Sequence, residues 1–280
     1  MLEAVINVSE GRDDRIIDAI GGAAGRTLLD VHRDPDHHRS VFTLAASDPG
    51  TTEAAARRLA GVALADLDIN RHDGVHPRVG ILDVVPFVAL DPTPDDIAGR
   101  AATAFGHWLA SVHAVPVFFY GGASPEGHDL PTIRSGAFTF IAPDCGPSTP
   151  HPRFGATVVG SRPPLIAVNV ELESRDLSAA RRIAGAVRER DGGLPGVRTL
   201  GLALPTADAV QVSMNLVDLP ATGIEVACRT VADQARQLGI EVRRIELVGL
   251  MPASEFRRCS AEFLAWAGLT EAATVEARAR

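Results

Sequence analysis

The apolar positions fall into short runs whose spacing switches between strand-like and helical along the chain. "LEAVINVS" (2–9) reads as a strand, and Ser9-Glu10-Gly11 turns it into an amphipathic segment over 12–24 with acidic residues in its first turn. Two strand-like runs follow, "TLLDVH" (27–32) and "RSVFTLAAS" (39–47), separated by the polar "RDPDHH". A helix over 51–67 and a strand over 81–90 complete the order β-α-β-β-α-β, the split βαβ or ferredoxin-like arrangement. Residues 94–112, opened by Pro94 and two aspartates, read as another helix, and 115–120 as a buried strand.

Between 121 and 155 Gly, Pro, Ser and His are too dense for regular elements, apart from one short helix around "LPTIR", and a loop of that length points to function or disorder. Past it the first order returns: strand 165–172, helix 177–190, strands 196–204 and 209–216, helix 223–239, strand 241–250, then a helical tail. The chain is therefore expected to be α/β (α+β), with two ferredoxin-like βαββαβ subdomains, 1–164 and 165–280, a ligand cleft between them, and no residue-level repeat.

Composition narrows the partners. Hydrophobic residues make up 46% of 280, enough for large cores, yet no run approaches the roughly 18 apolar residues of a bilayer span. The start lacks the basic and apolar regions of a signal peptide, so a soluble, unexported chain is expected. Cys145, Cys228 and Cys259 are far apart and outside any CxxC pattern, which favours a reducing cytoplasm over disulfides or zinc. The formal charge of −8 and the dispersed arginines disfavour nucleic acid and favour a small-molecule partner. There is no lysine, which excludes Schiff-base chemistry.

Candidate chemistry concentrates in "NRHDGVHPRVGILDV" (70–84). His72 and His76 have i, i+4 spacing, but Gly74 lies between them and Pro77 biases His76 away from helix, so a metal is not expected. His76 precedes a buried strand, where a histidine can be held rigidly and exchange a proton near neutral pH. The alternative is a loop whose polar groups bond its own backbone, the favoured reading for His72. In "DVHRDPDHHRSV" (30–41) a solvated turn is expected at Asp36 and His37, while Arg39 could present its fork to a carboxylate. In "RFGATVVGSRPP" (153–164) there is neither a phosphate-loop lysine nor GxGxxG. Its glycines let the backbone pass close to a flat ligand, or mark a bulged edge strand. "QVSMNL" places Gln211, Ser213 and Asn215 on one strand face.

These segments, with "NVSEGRD" (7–13), resemble the glutamate formiminotransferase family, whose motifs run NFSEG, LLD…NRTV, RHKGEHPRMGALDVCPF, GATxxGARxFLIAxNxNL and QVSxNL. The resemblance runs in order from residue 1 to about 255. It implies transfer of the formimino group of N-formimino-L-glutamate to N5 of tetrahydrofolate as co-substrate, without a metal, by a cytoplasmic homodimer with a folate groove between two α/β subdomains. It makes His76 the catalytic histidine and the run Gly155, Ala156, Thr157, Val158, Val159, Gly160, Ser161, Arg162 the folate-binding segment. Beside it, Arg39, Arg78 and His72 are the expected substrate-binding residues. With the chain ending at Arg280, the transferase without a cyclodeaminase domain is expected. Asp73 and Val75 stand where the family has Lys and Glu, and His32 where it has an acidic residue. A different formimino or formyl donor is one alternative reading, and a non-catalytic folate-binding paralogue another.

Overall fold

In the computed structural model, which describes residues 1–74 and 78–279, strand β1 (Leu2–Val8) sends Leu2, Ala4, Ile6 and Val8 into a core and Glu3, Val5 and Asn7 to the other face. Its neighbours are β2 (Leu28–Asp34), β3 (Arg39–Ala46) and β4 (Leu82–Ala89). Three helices, α1 (Asp14–Ala24), α2 (Pro49–Asp66) and α3 (Asp95–His113), bury their apolar sides in that core. Asp13 caps α1 by accepting from the Arg15 and Ile16 N–H groups, and Asp48 caps α2 through Thr51.

The first compact unit spans Met1–Arg162 and adds β5 (Val117–Gly121), α4 (Leu130–Gly136) and β6 (Thr157–Ser161). Its sheet order is β2-β3-β1-β4-β6-β5, antiparallel through β4 and parallel from β4 to β5. Strand β6 corrects the expectation of a loop or bulged edge. It is an interior strand paired on both sides, and all five of its residues are buried, as in a parallel strand covered on both faces. Ile133 of α4 packs with Val158, Phe118 and Tyr120 in a second, smaller core.

The second unit, Pro163–Arg278, contains β7 (Ile166–Leu172), α5 (Leu177–Val187), β8 (Val197–Leu204), β9 (Ala209–Leu216), α6 (Ile224–Gln237) and β10 (Val242–Val248). The sheet order β10-β7-β9-β8 is antiparallel throughout, with its own core. The first four strands of the first unit and the four of the second both use the order 4-1-3-2, so the doubled element order is a doubled topology, with β6 and β5 added in the first. Gln211, Ser213 and Asn215 do share one face of β9, opposite Val210, Val212 and Met214 in the core. The tail is helical in three pieces, α7 (Ala253–Arg258), α8 (Ala261–Ala267) and α9 (Val275–Arg278). The breaks come where Ser260 caps α8 and where Gly268 ends it in the left-handed region.

Candidate active site

Within the first unit the sequence motifs converge on the loop between α2 and β4. Asp68 caps its opening turn by accepting from the Asn70 N–H. The His72 ring then has both nitrogens engaged: Nε2 lies 2.6 Å from the His38 carbonyl oxygen, and the Gly74 N–H donates to Nδ1 at 3.2 Å. A carbonyl accepts and an N–H donates, so the ring is the neutral tautomer protonated on Nε2. It stacks on His38 with ring centroids 4.3 Å apart. His38 is buried, and its Nδ1 accepts the Gly11 N–H at 3.1 Å. Burial lowers both imidazole pKa values, and at His38 it outweighs the Glu10 carboxylate.

Gly74 is required where it stands. A Cβ there would lie 2.4 Å from the His37 carbonyl oxygen and 2.6 Å from the His72 ring. Arg78 closes the loop from its far side, with Nη1 donating to the Gly74 carbonyl at 2.8 Å and Nη2 to that of His72 at 2.9 Å. His72 and Arg78, expected to contact substrate, therefore hold the backbone on either side of His76. His76 itself lies outside the described residues, as does Val75.

The base of the loop rests on Asp83. The register of β1 against β4 shifts at this residue, since Asn7 faces Val84 and Val8 faces Leu82, so Asp83 is the extra residue of a bulge. The bulge turns its carboxylate into the protein, where the residue is fully buried. Oδ1 accepts the Val79 N–H at 2.7 Å, and Oδ2 accepts from Arg39 Nη1 at 2.6 Å and Arg134 Nη2 at 2.7 Å. Burial raises the carboxyl pKa, but the two guanidinium charges outweigh it and keep Asp83 ionised below the usual range. Arg39 also donates from Nε to Asn7 Oδ1 at 3.2 Å. Its fork thus grips a carboxylate, but the protein's own.

"NVSEGRD" and the turn before β3 form the adjoining wall. Ser9 Oγ donates to the Gly80 carbonyl at 2.8 Å, and Ser40 Oγ to that of Glu10 at 2.6 Å. The Glu10 carboxylate accepts the N–H groups of Arg12 and Asp13. Arg12 reaches Asp73 at 2.6 Å. His37 is buried and paired with Asp34, which corrects the expectation of a solvated turn: the backbone folds in to meet Gly11 and Gly74.

The run Gly155 to Arg162 crosses the same region as strand β6. Ala156, Thr157, Val158, Val159 and Ser161 are packed inside the unit, leaving Arg162, half-buried, just past the end of the strand. The space its glycines leave is filled by the chain itself: a Cβ on Gly160 would lie 2.3 Å from the Tyr120 ring, and one on Gly155 2.4 Å from the Val79 carbonyl. Burial pushes the Tyr120 phenol up against the charges of Arg162 and Arg134, and Arg162 hydrogen-bonds it. Among the described residues no group of three His, Cys, Asp or Glu side chains gathers as a metal site, and no helix is long and apolar enough to cross a membrane.

Asn7, Glu10, His38, Asp83 and Arg134 were not singled out by sequence reasoning. Asp83 carried a signal, a charged residue inside the apolar run "ILDVVPFVAL", where an unpaired carboxylate would be costly.

Comparison with known proteins covers most of the chain. The formiminotransferase domain, N-terminal subdomain, matches residues 1–162, and the formiminotransferase domain matches residues 167–273. The glutamate formimidoyltransferase of Thermoplasma acidophilum is 36% identical over 271 residues, covering 90% of this chain and 88% of that protein. The glutamate formimidoyltransferase of Streptococcus pyogenes is 33% identical over 268 residues, with 90% and 89% covered. The formimidoyltransferase-cyclodeaminase of Sus scrofa is 36% identical over 272 residues, which is 90% of this chain and 50% of that protein. Two α/β subdomains with these matches define an enzyme that transfers a one-carbon group. The chain belongs to the formiminotransferase family.

Proposed function

We propose that the chain transfers the formimino group of N-formimino-L-glutamate to N5 of tetrahydrofolate, releasing L-glutamate and 5-formiminotetrahydrofolate, with subdomains 1–164 and 165–280 and His76 as the acid–base residue. The observation that carries this reading is the match of both formiminotransferase domains in order along the chain, together with the loop that the His72 and Arg78 contacts hold on both sides of position 76.

In the reaction N5 attacks the amidine carbon and a tetrahedral adduct forms. The C–N bond to glutamate then breaks as its nitrogen gains a proton. A neutral imidazole at His76 takes the proton from N5 and returns it to the leaving nitrogen, so one residue serves both steps and contributes about 10²–10⁴-fold in rate. Holding that imidazole still contributes separately, because reacting groups kept in attack geometry avoid much of the entropic cost of meeting. His72, four positions earlier in the chain, stays neutral and adds no second cation to the loop. The reading takes Arg162, at the end of the Gly155–Arg162 segment, as the part offered to folate. It also expects a cytoplasmic homodimer acting on small molecules.

The His76→Ala variant tests the mechanism. Turnover should fall by two orders of magnitude or more while calorimetric binding of tetrahydrofolate stays within about threefold of wild type. Full turnover in the variant would remove His76 from the reaction. A second reading, a different formimino donor, is favoured by Asp73, which pairs with Arg12 at the rim of the loop where the family carries a lysine. Turnover of another amidine but not of formiminoglutamate would select it.

A further inference from the structure

The Arg39–Asp83–Arg134 cluster holds more positive charge than its structural task needs. Two guanidiniums donate to one oxygen of one carboxylate, and the other oxygen is taken by the Val79 N–H. Bracing the bulge needs one arginine, and Arg39 fills that place: its side chain is 12% exposed and bridges Asp83 to Asn7. Arg134 is different. It comes from the short helix α4, 51 residues along the chain from Asp83, and its side chain is 26% exposed. Its Nε is buried and has no hydrogen-bond partner among the described residues.

A buried guanidinium nitrogen without a partner is costly, and so is a surplus cation in a poorly solvated setting. The surplus charge is relieved by one kind of visitor, an anion whose acceptor oxygens meet the exposed end of the guanidinium. Arginine recognises a carboxylate in that way, through parallel donors in a fixed plane. The surroundings suit the same ligand. Tyr120, whose phenol burial keeps protonated, lies within reach of the Arg162 and Arg134 charges. Through Val79, the cluster is tied to the loop that carries His76.

We propose that Arg134 is the residue that recognises a substrate carboxylate, with Asp83 and Arg39 as positioning residues that aim its guanidinium. The proposal rests on the function above, since both substrates named there carry a glutamyl carboxylate: the formimino donor itself and the tail of the folate. Asp83 orients Arg134 through one Nη, and the exposed end of the guanidinium is left to the ligand.

The test is steady-state kinetics of Arg134→Gln and Arg134→Lys, each substrate varied in turn, with circular dichroism to confirm folding. L-glutamate and tetrahydrofolate binding are measured by calorimetry without turnover. Arg134→Gln should raise the KM of one substrate by about 10- to 100-fold, the scale of a lost charge-assisted hydrogen bond, with kcat changed less than threefold. Arg134→Lys, which keeps the charge but loses the fork, should fall between. A rise confined to formiminoglutamate, with weaker L-glutamate binding, assigns the donor. A rise confined to tetrahydrofolate, absent with tetrahydropteroate, assigns the folate tail. Folded Arg134→Gln with both KM values within twofold of wild type overturns the proposal while the transferase reading stands. If wild type shows no turnover, that reading fails alone, and loss of L-glutamate or tetrahydrofolate binding in Arg134→Gln still supports the carboxylate site. Binding that Arg134→Gln leaves unchanged, or no binding of either ligand by wild type, overturns it.

Discussion

Asp83 concentrates the physics of the site in one side chain. It is fully buried, ionised and shared by two arginines, so replacing it removes a counter-charge from an environment that cannot supply another. Asp83→Asn should destabilise the protein by about 3–5 kcal/mol in denaturant unfolding. Its pH dependence has a definite sign. The folded carboxyl has a pKa below its unfolded value of about 3.9, so its stabilisation is complete above about pH 4 and is lost as pH falls through the lower folded value. The stability gap between wild type and Asp83→Asn should therefore narrow below about pH 4, and a gap that stays constant there would remove the charge from the explanation.

At this scale the sequence was legible where spacing carries chemistry. The setting of His76 between Gly74 and Pro77 identified the loop, and the resemblance gave His76 its role. The partners of Asp83 were not legible, because a bulge decides where a strand residue points, and Arg39 and Arg134 come from 44 and 51 residues away. A fork for carboxylates does not say whose carboxylate it holds, and the Arg39 contact with Asp83 was therefore not legible.

Among the elements, β6 positions the site most directly. It runs between β4, which bears Asp83, and β5, which bears Tyr120, and it ends at Ser161, just before Arg162. The absence of a side chain at Gly160 lets the Tyr120 ring cross the strand, where an added Cβ would lie 2.4 Å from the Tyr120 carbonyl oxygen as well. Gly160→Val should therefore overpack the smaller core and destabilise by about 1–3 kcal/mol or more, read as a lower denaturant midpoint. An unchanged midpoint would show that Tyr120 moves aside freely.

The helices were readable from their periodicity and their aspartate caps, and the antiparallel strands from their apolar runs. β6 was not, because five residues, one of them Gly160, offer too little pattern to separate an interior strand from an edge. Its partners are also fixed by contacts far along the chain. The tail read as helical, yet Ser260 and Gly268, which cut it into pieces, are the signals that could have shown the breaks.

Over the whole molecule, two units with separate cores repeat one strand order without repeating their residues. Backbone topology needs a pattern of apolar runs and turns, which many sequences satisfy, so the doubling was legible in the order of elements alone. The candidate site is not doubled: His72, Arg78, Asp83 and Arg134 all belong to the first unit. The net charge of −8 fits small-molecule substrates better than a polyanion, although both proposed substrates are themselves anionic. Local arginines must therefore provide the attraction that the global charge opposes, which is the role assigned to Arg134.

The measurement that bears most directly on this account is a single incubation of the purified chain with tetrahydrofolate and N-formimino-L-glutamate. The products would be followed by acid conversion of 5-formiminotetrahydrofolate to its ultraviolet-absorbing 5,10-methenyl form and by an independent assay of L-glutamate. The account predicts equal amounts of the folate product and L-glutamate, both dependent on tetrahydrofolate and both abolished together in His76→Ala. Glutamate released without folate product, or no product of either kind from folded protein that binds tetrahydrofolate, would contradict it.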